Sequence, residues 1–223
     1  MAAGRGMRLT GGQHSKPMFP VLGKPLIQHS IDYLLKVGVK RLVVTKRIND
    51  DELGDYLEKV QGFDDIVVVE KDTKAAFESF VALQNSLCGT DHLILASDLL
   101  IADSAFEDFV EASSSKLASS QMCLLVSELI SDDRPIWVGL GDDDLVVRYG
   151  KRIPPTGLVF GNLRAVRSDF SIPESASDIT SLSDLMSHLV ENVSIDITAI
   201  AGGPTIDIDS LEDVDAWVSL SHD

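Results

Sequence analysis

The sequence predicts an α/β fold built on a mostly parallel sheet, and three observations carry that prediction. Short runs rich in Val, Ile and Leu alternate with stretches of helical period through the first half of the chain. Several of these runs are apolar at every position, as strands covered on both faces are. After about residue 130 the alternation gives way to two runs joined by a turn, so a smaller β substructure interrupts it.

Each element follows from its residues. Pro25 stands where a first helical turn tolerates proline, and Leu26, Ile27, Ile31, Leu34 and Leu35 follow at helical spacing as far as Gly38, a favourable stop. Arg41–Thr45 reads as a strand, Asp51–Val60 as a helix closed near Gly62, Ile66–Val69 as a strand and Lys74–Leu87 as a helix. His92–Ser97 is an apolar strand running directly into Asp98, followed by a short helix over Ser104–Ala112 and a strand over Met122–Val126. The serines 113–115, 119 and 120 form the one biased patch and read as a surface loop. Ile136–Leu140 and Leu145–Tyr149, joined by Gly-Asp-Asp-Asp, predict a hairpin. Leu158–Phe160 and Leu163–Val166 add strand, Ile179–Val190 a helix, Ile195–Ile200 a strand, and Ser210–Leu220 a last helix opened by a capping box of Ser210 and Asp213.

Composition narrows the function. At 223 residues, with 44% hydrophobic residues, the chain can bury a full core, and it is read as a single domain over 1–223 with a subregion at about 130–177. The net charge of −16 repels phosphate backbones, which argues against nucleic acid as a partner. Two cysteines, Cys88 and Cys123, make neither a disulfide framework nor a metal-ligand spacing and fit a reducing compartment. No apolar run approaches the ~18 residues of a membrane span, and Met1-Ala-Ala-Gly-Arg5 lacks the apolar stretch of a signal peptide, so the expected location is cytoplasmic.

Gly4 to Pro25 inverts the local charge, carrying Arg5, Arg8, Lys16 and Lys24 among glycines and prolines. Neither common nucleotide motif fits it. Gly4-Arg-Gly6-Met-Arg-Leu9 has Leu where G-x-G-x-x-G needs its third glycine, and Gly23-Lys24 lacks the upstream glycine of a P-loop. G-x-S-x-G and H-E-x-x-H are absent too, and the histidines are scattered. What remains is a glycine-rich turn with cations. Glycines let backbone N–H groups approach phosphates closely, and Arg and Lys neutralise the charge, so a polyphosphate is the expected partner.

Ala2-Ala-Gly-Arg-Gly-Met-Arg-Leu9, then Lys16-Pro17 and Pro20-Val-Leu-Gly-Lys-Pro25, resembles the N-terminal signature of the nucleotidyltransferase superfamily, which joins phosphorylated acceptors to nucleoside triphosphates. Leu93-Ile-Leu-Ala-Ser-Asp98 resembles the strand whose terminal Asp binds Mg²⁺ in that superfamily. Ile206-Asp-Ile-Asp-Ser-Leu-Glu-Asp213 resembles the late segment that supplies a second carboxylate. The resemblance implies a Rossmann-like three-layer α/β/α sandwich. Its sheet is mixed but mostly parallel, with one antiparallel strand and a small acceptor-side β insertion.

It further implies a Mg²⁺-dependent attack by an acceptor phosphate oxygen, from a sugar 1-phosphate or phosphoalcohol, on the α-phosphorus of a nucleoside triphosphate, releasing pyrophosphate. Asp98 and Asp209 are then the metal ligands, with Asp207 competing for the second place. Two carboxylates plus triphosphate oxygens form the hard-oxygen shell that Mg²⁺ requires. Arg8 and Lys16 are the catalytic cations on the leaving phosphates, with Lys24 a weaker candidate. Ala3, Gly4, Gly6 and Ser79 join them in binding the nucleotide, and Lys151 meets the acceptor phosphate.

Two departures bear on this. Met7 stands where relatives often have Ser or Thr near the phosphates. Relatives also carry a short apolar run before A-A-G that forms the central strand, whereas here Met1 directly precedes Ala2. The expectation is a gap in the middle of the sheet, costly at ~1–3 kcal/mol for each buried group left unsatisfied, and a true start that lies upstream. The rivals are a catalytically silent nucleotide-binding or regulatory domain of the same fold and guanylyl transfer to molybdopterin.

Overall fold

Strands whose side chains are apolar on both faces need cover on both faces, and the chain supplies it with helices on either side of a sheet split in two. The computed structural model describes residues 1–2, 9, 15–72, 76–87, 89–130, 134–193 and 195–220. In chain order these form β1 (Pro20–Val21), β2 (Lys24–Pro25), α1 (Leu26–Lys36), β3 (Arg41–Lys46), α2 (Asp51–Leu57), β4 (Asp65–Glu70) and α3 (Ala76–Leu87). There follow β5 (His92–Leu95), β6 (Leu99–Ile101), α4 (Asp103–Lys116), β7 (Met122–Ser127), β8 (Trp137–Leu140), β9 (Val146–Gly150) and β10 (Val159–Val166). The last elements are α5 (Leu182–His188), β11 (Ile197–Ala201), β12 (Thr205–Asp207) and α6 (Leu211–Leu220).

β3 and β4 pair in parallel with Val43 opposite Val67, and β11 runs parallel to β7 with Ala199 opposite Leu124. β10 lies antiparallel between β5 and β7, opposing Ile94 and Leu124 with the single residue Arg164. It is the expected antiparallel strand among β5, β7 and β11, and β9, antiparallel to β8, is a second strand against the majority direction. The hairpin β8–β9 joins this sheet through Trp137 and Val159, while β6 and β12 make a short antiparallel pair of their own.

Between β3 and β5 the sheet is interrupted. Met1 and Ala2 fill only the end of that slot: the Met1 amino group donates to the Leu95 carbonyl at 2.8 Å, Ser97 N–H donates to Met1 at 3.1 Å, and Ala2 N–H donates to Thr45 at 3.1 Å. The two bonds on the β5 side follow the slanted pattern of a parallel pair, and a single bond ties the segment to β3. Beyond Met1 the slot continues as a cavity of about 400 Å³ walled by Ile31, Leu34 and Leu117 on one side and Leu83 and Leu87 on the other. Burial pushes the Met1 amino group down to about 6, against a smaller opposing pull from Asp98.

Several sequence expectations need correcting. Leu158–Phe160 and Leu163–Val166 belong to one strand, β10, whose register shifts between Phe160 and Arg164, where Asn162 takes φ +55. Asp98 does not lead straight to a helix, because Leu99–Ile101 first pairs with Thr205–Asp207. The serine run is no loop. α4 continues to Lys116, and Ser113, Ser114 and Ser115 satisfy their hydroxyls on carbonyls one turn back. The helix expected over Ile179–Val190 starts at Leu182 and passes into a π turn at Leu189–Val193.

Candidate active site

Lys16 opens the site. It begins a 3₁₀ turn over Lys16–Met18, with Pro17 fixing the backbone of that turn, and the chain then reverses through β1 and β2. Leu22 and Gly23, at φ +51 and +83, form the two-residue turn between them, a conformation of the mirror-image class that twisted hairpins favour. The segment is held against α1 by Leu26 N–H on the Phe19 carbonyl and by His29 on the Val21 carbonyl, each at 3.0 Å. Leu9, Val21, Leu26, Leu100, Ile208 and Trp217 form the apolar floor beneath it.

Asp98, from the middle of the sequence, and Asp209, from near its end, come to the same point. Asp98 lies between β5 and β6, and Ile208 N–H donates to its backbone carbonyl at 2.9 Å, tying the two segments together. Asp209 sits in the turn before α6. There the Asp213 carboxylate accepts from Asp209 N–H at 2.9 Å and Ser210 N–H at 2.8 Å, while Asp213 N–H donates to Ser210 Oγ at 3.3 Å. The predicted capping box is formed, with Asp in the place usually taken by Glu.

The Lys16 ammonium donates to Asp98 Oδ2 and, at 2.6 Å, to Asp209 Oδ1. Its side chain is 7% exposed against 23% for Asp98 and 46% for Asp209. Burial alone would lower its pKa, yet the two carboxylates together hold it above the usual lysine range. Asp207, the rival second carboxylate, turns instead to Asn162, whose Nδ2 donates to its Oδ2. Thr205, Asp207, Asn162, Phe160 and Lys151 line a cleft of about 200 Å³, and Lys151, though exposed, borders that cleft. Ser79 is buried within α3 rather than on the helix surface, and Lys24 pairs with Asp32. Ala3, Gly4, Gly6, Met7 and Arg8 lie outside the described residues.

Among the described residues no three His, Cys, Asp or Glu side chains converge to hold a metal. A divalent ion here would therefore have two protein carboxylates and would need further oxygens from a ligand. An ammonium shared by Asp98 and Asp209 marks a place where a cation is held between hard oxygen donors, which suits Mg²⁺.

A family model for nucleotidyl transferases matches residues 1–132, which include Lys16, Asp98 and more than half of the chain. The chain belongs to the nucleotidyl transferase family. This nucleotidyltransferase is 23% identical over 173 residues to the D-glycero-alpha-D-manno-heptose 1-phosphate guanylyltransferase of Campylobacter jejuni, covering 73% of this chain and 72% of that one. Its fold matches the inositol-1-phosphate CTP transferase of T. maritima with a TM-score of 0.78, at 22% identity, over 97% of this chain and 90% of that one. A UDP-glucose pyrophosphorylase from Acinetobacter baumannii matches with the same TM-score and coverage at 14% identity. The mixed α/β architecture of the nucleotidyltransferase is the one expected from its sequence.

Two features escaped the sequence. Asn162 was hidden inside an apolar run, although Gly161-Asn162 is a dipeptide that tolerates the positive φ of a bulge. Arg164 is 3% exposed and fully inside the sheet, its guanidinium 4.7 Å from the Phe160 ring centre and 5.5 Å from that of Phe80. Burial lowers its pKa, opposed by the smaller pull of Tyr149. Nε and Nη1 have no hydrogen-bond partner among the described residues.

Proposed function

We propose that the nucleotidyltransferase moves a nucleoside monophosphate from a nucleoside triphosphate to a sugar 1-phosphate or phosphoalcohol. An acceptor phosphate oxygen attacks the α-phosphorus, the bond from that phosphorus to the oxygen bridging to the β-phosphate breaks, and pyrophosphate leaves. No side-chain nucleophile takes part, so the protein's task is orientation and charge neutralisation. Asp98 and Asp209 hold Mg²⁺, which when bound would neutralise charge on the phosphate oxygens. Lys16 and Arg8 hold the β- and γ-phosphates, the backbone at Ala3, Gly4 and Gly6 cradles the chain, Ser79 contributes to nucleotide binding, and Lys151 orients the acceptor phosphate.

The observation that carries this reading is the buried Lys16 ammonium shared by Asp98 and Asp209. The cleft bearing Lys151, Asn162 and Thr205 supports a polar, phosphorylated acceptor. The partners are small molecules rather than nucleic acid, in keeping with the charge of −16. No helix among the described residues is long and apolar enough to cross a membrane, and we assign the reaction to the cytoplasm from the cysteine content.

A second reading is a domain of the same fold that binds nucleotide without turnover. A screen of the four nucleoside triphosphates against sugar 1-phosphates and phosphoalcohols, read as pyrophosphate release, separates the two. Acceptor-dependent release with one pairing is expected. A nucleotide-dependent rise in Tm without release would establish the silent domain.

A further inference from the structure

Two carboxylates that would repel one another are held together by one lysine, and that lysine occupies the position a divalent ion would need. Lys16 Nζ engages Asp98 Oδ2 and Asp209 Oδ1, and its stem is packed out of solvent. Mg²⁺ requires oxygen ligands at ~2.0–2.1 Å in near-ideal octahedral geometry, so ion and ammonium cannot both sit between these oxygens. Nor can the ammonium simply be pushed aside. A largely buried cation stripped of its counter-charges is strongly disfavoured, and it leaves only for another anion. The candidate anion is the one the site is proposed to bind, a polyphosphate.

We propose that Lys16 is an internal counter-ion that closes the Asp98–Asp209 pair to divalent metal until a polyphosphate draws it away. This rests on the transfer reaction proposed above and adds an order of events to it. Metal and polyphosphate then bind cooperatively, each making room for or neutralising the other, and by linkage the coupling is the same whichever is added first. Lys16 changes partner from carboxylate to phosphate, and the carboxylates change partner from ammonium to metal. A free divalent ion alone is a poor ligand for the resting site.

The experiment uses the full chain, with Mn²⁺ as a paramagnetic probe and inorganic tripolyphosphate as the anion. In the unaltered protein, Mn²⁺ alone is expected to leave the amide signals of residues 97–99 and 208–210 sharp. At the same metal concentration with tripolyphosphate, those signals broaden. In Lys16→Met, which keeps the stem and removes the charge, Mn²⁺ alone broadens them and binds at least ~10-fold more tightly than to the unaltered protein, within the usual range of coupling between sites. Equal broadening by Mn²⁺ alone in the unaltered protein would overturn the counter-ion role while leaving the metal assignment standing. Mn²⁺ that broadens neither segment under any condition would overturn both. Should Lys16→Met fail to fold, the comparison in the unaltered protein decides the matter by itself.

Discussion

Asp98 and Lys16 carry the most consequence at the scale of single residues. Asp98→Asn keeps the shape and the hydrogen-bonding capacity of the side chain while removing a charge that is proposed to hold the metal. Turnover is expected to fall at least ~100-fold, as when one charge-stabilising group is removed elsewhere, with little change in Tm because Asp209 still accompanies Lys16. Retention of a tenth or more of the activity would remove Asp98 from the metal site. Arg164 makes a prediction of opposite sign. A guanidinium with unmet donors deep in a sheet carries a desolvation penalty that two aromatic faces offset only in part. Arg164→Met is therefore expected to stabilise the fold by about 1 kcal/mol, a rise in Tm of ~2–4 °C in thermal unfolding for a chain of this size. A fall in Tm would show that the guanidinium has a partner the present contacts do not reveal. The sequence left Asp207 and Asp209 as alternatives because they are two residues apart, and in the fold they meet different partners. β12 turns Asp207 to Asn162, whereas the capped turn that follows sends Asp209 to Lys16. Nothing in the local pattern announces the Lys16 contact, which joins segments 193 residues apart.

Helices and strands were legible where period and punctuation agreed. α1 begins after Pro25 and closes as expected near Gly38, which takes φ +77, and α6 opens on the Ser210–Asp213 box. Legibility failed where chemistry and geometry conflict: the serines closing α4 favour non-helical backbone, but one face of that helix is held by Ala105, Phe106 and Phe109 in the core. β6 was missed because Leu99–Ile101 follows the β5 run with only a short step between, and pairing with β12 is a tertiary fact. Asp213 connects capping to the site. Asp213→Ala removes three hydrogen bonds to the turn that presents Asp209. It is expected to cost ~0.5–2 kcal/mol in denaturant unfolding and to lower turnover as well, since the turn would no longer be fixed. Loss of stability with turnover unchanged would show that the orientation of Asp209 does not depend on the cap. The slot makes a further prediction. Among the described residues, amide protons on the edges of β3 and β5 that face the cavity lack ladder partners, while those between β7 and β10 are paired and buried. Hydrogen exchange should be fast on the slot edges and slowest on the β7–β10 seam. Equal protection would mean that the slot closes in solution.

Taken whole, the molecule brings Lys16 and Asp209 to Asp98 just past the carboxyl end of β5, where open α/β sheets bind ligands. The acidic surface is set against a short cationic segment from Arg5 to Lys24, a contrast visible in the sequence alone. What composition could not show is that one of those cations is already paired inside the fold. On the proposed reading, Asp98 and Asp209 form a cation-binding pair from which Lys16 is released to a polyphosphate. A crystal structure with a non-hydrolysable nucleoside triphosphate and Mg²⁺ tests it most directly. The expected result is one ion with an oxygen of each carboxylate at ~2.0–2.1 Å and Lys16 turned onto the phosphates. An ion bound elsewhere, or Lys16 still bridging the two carboxylates beside a bound triphosphate, would contradict it.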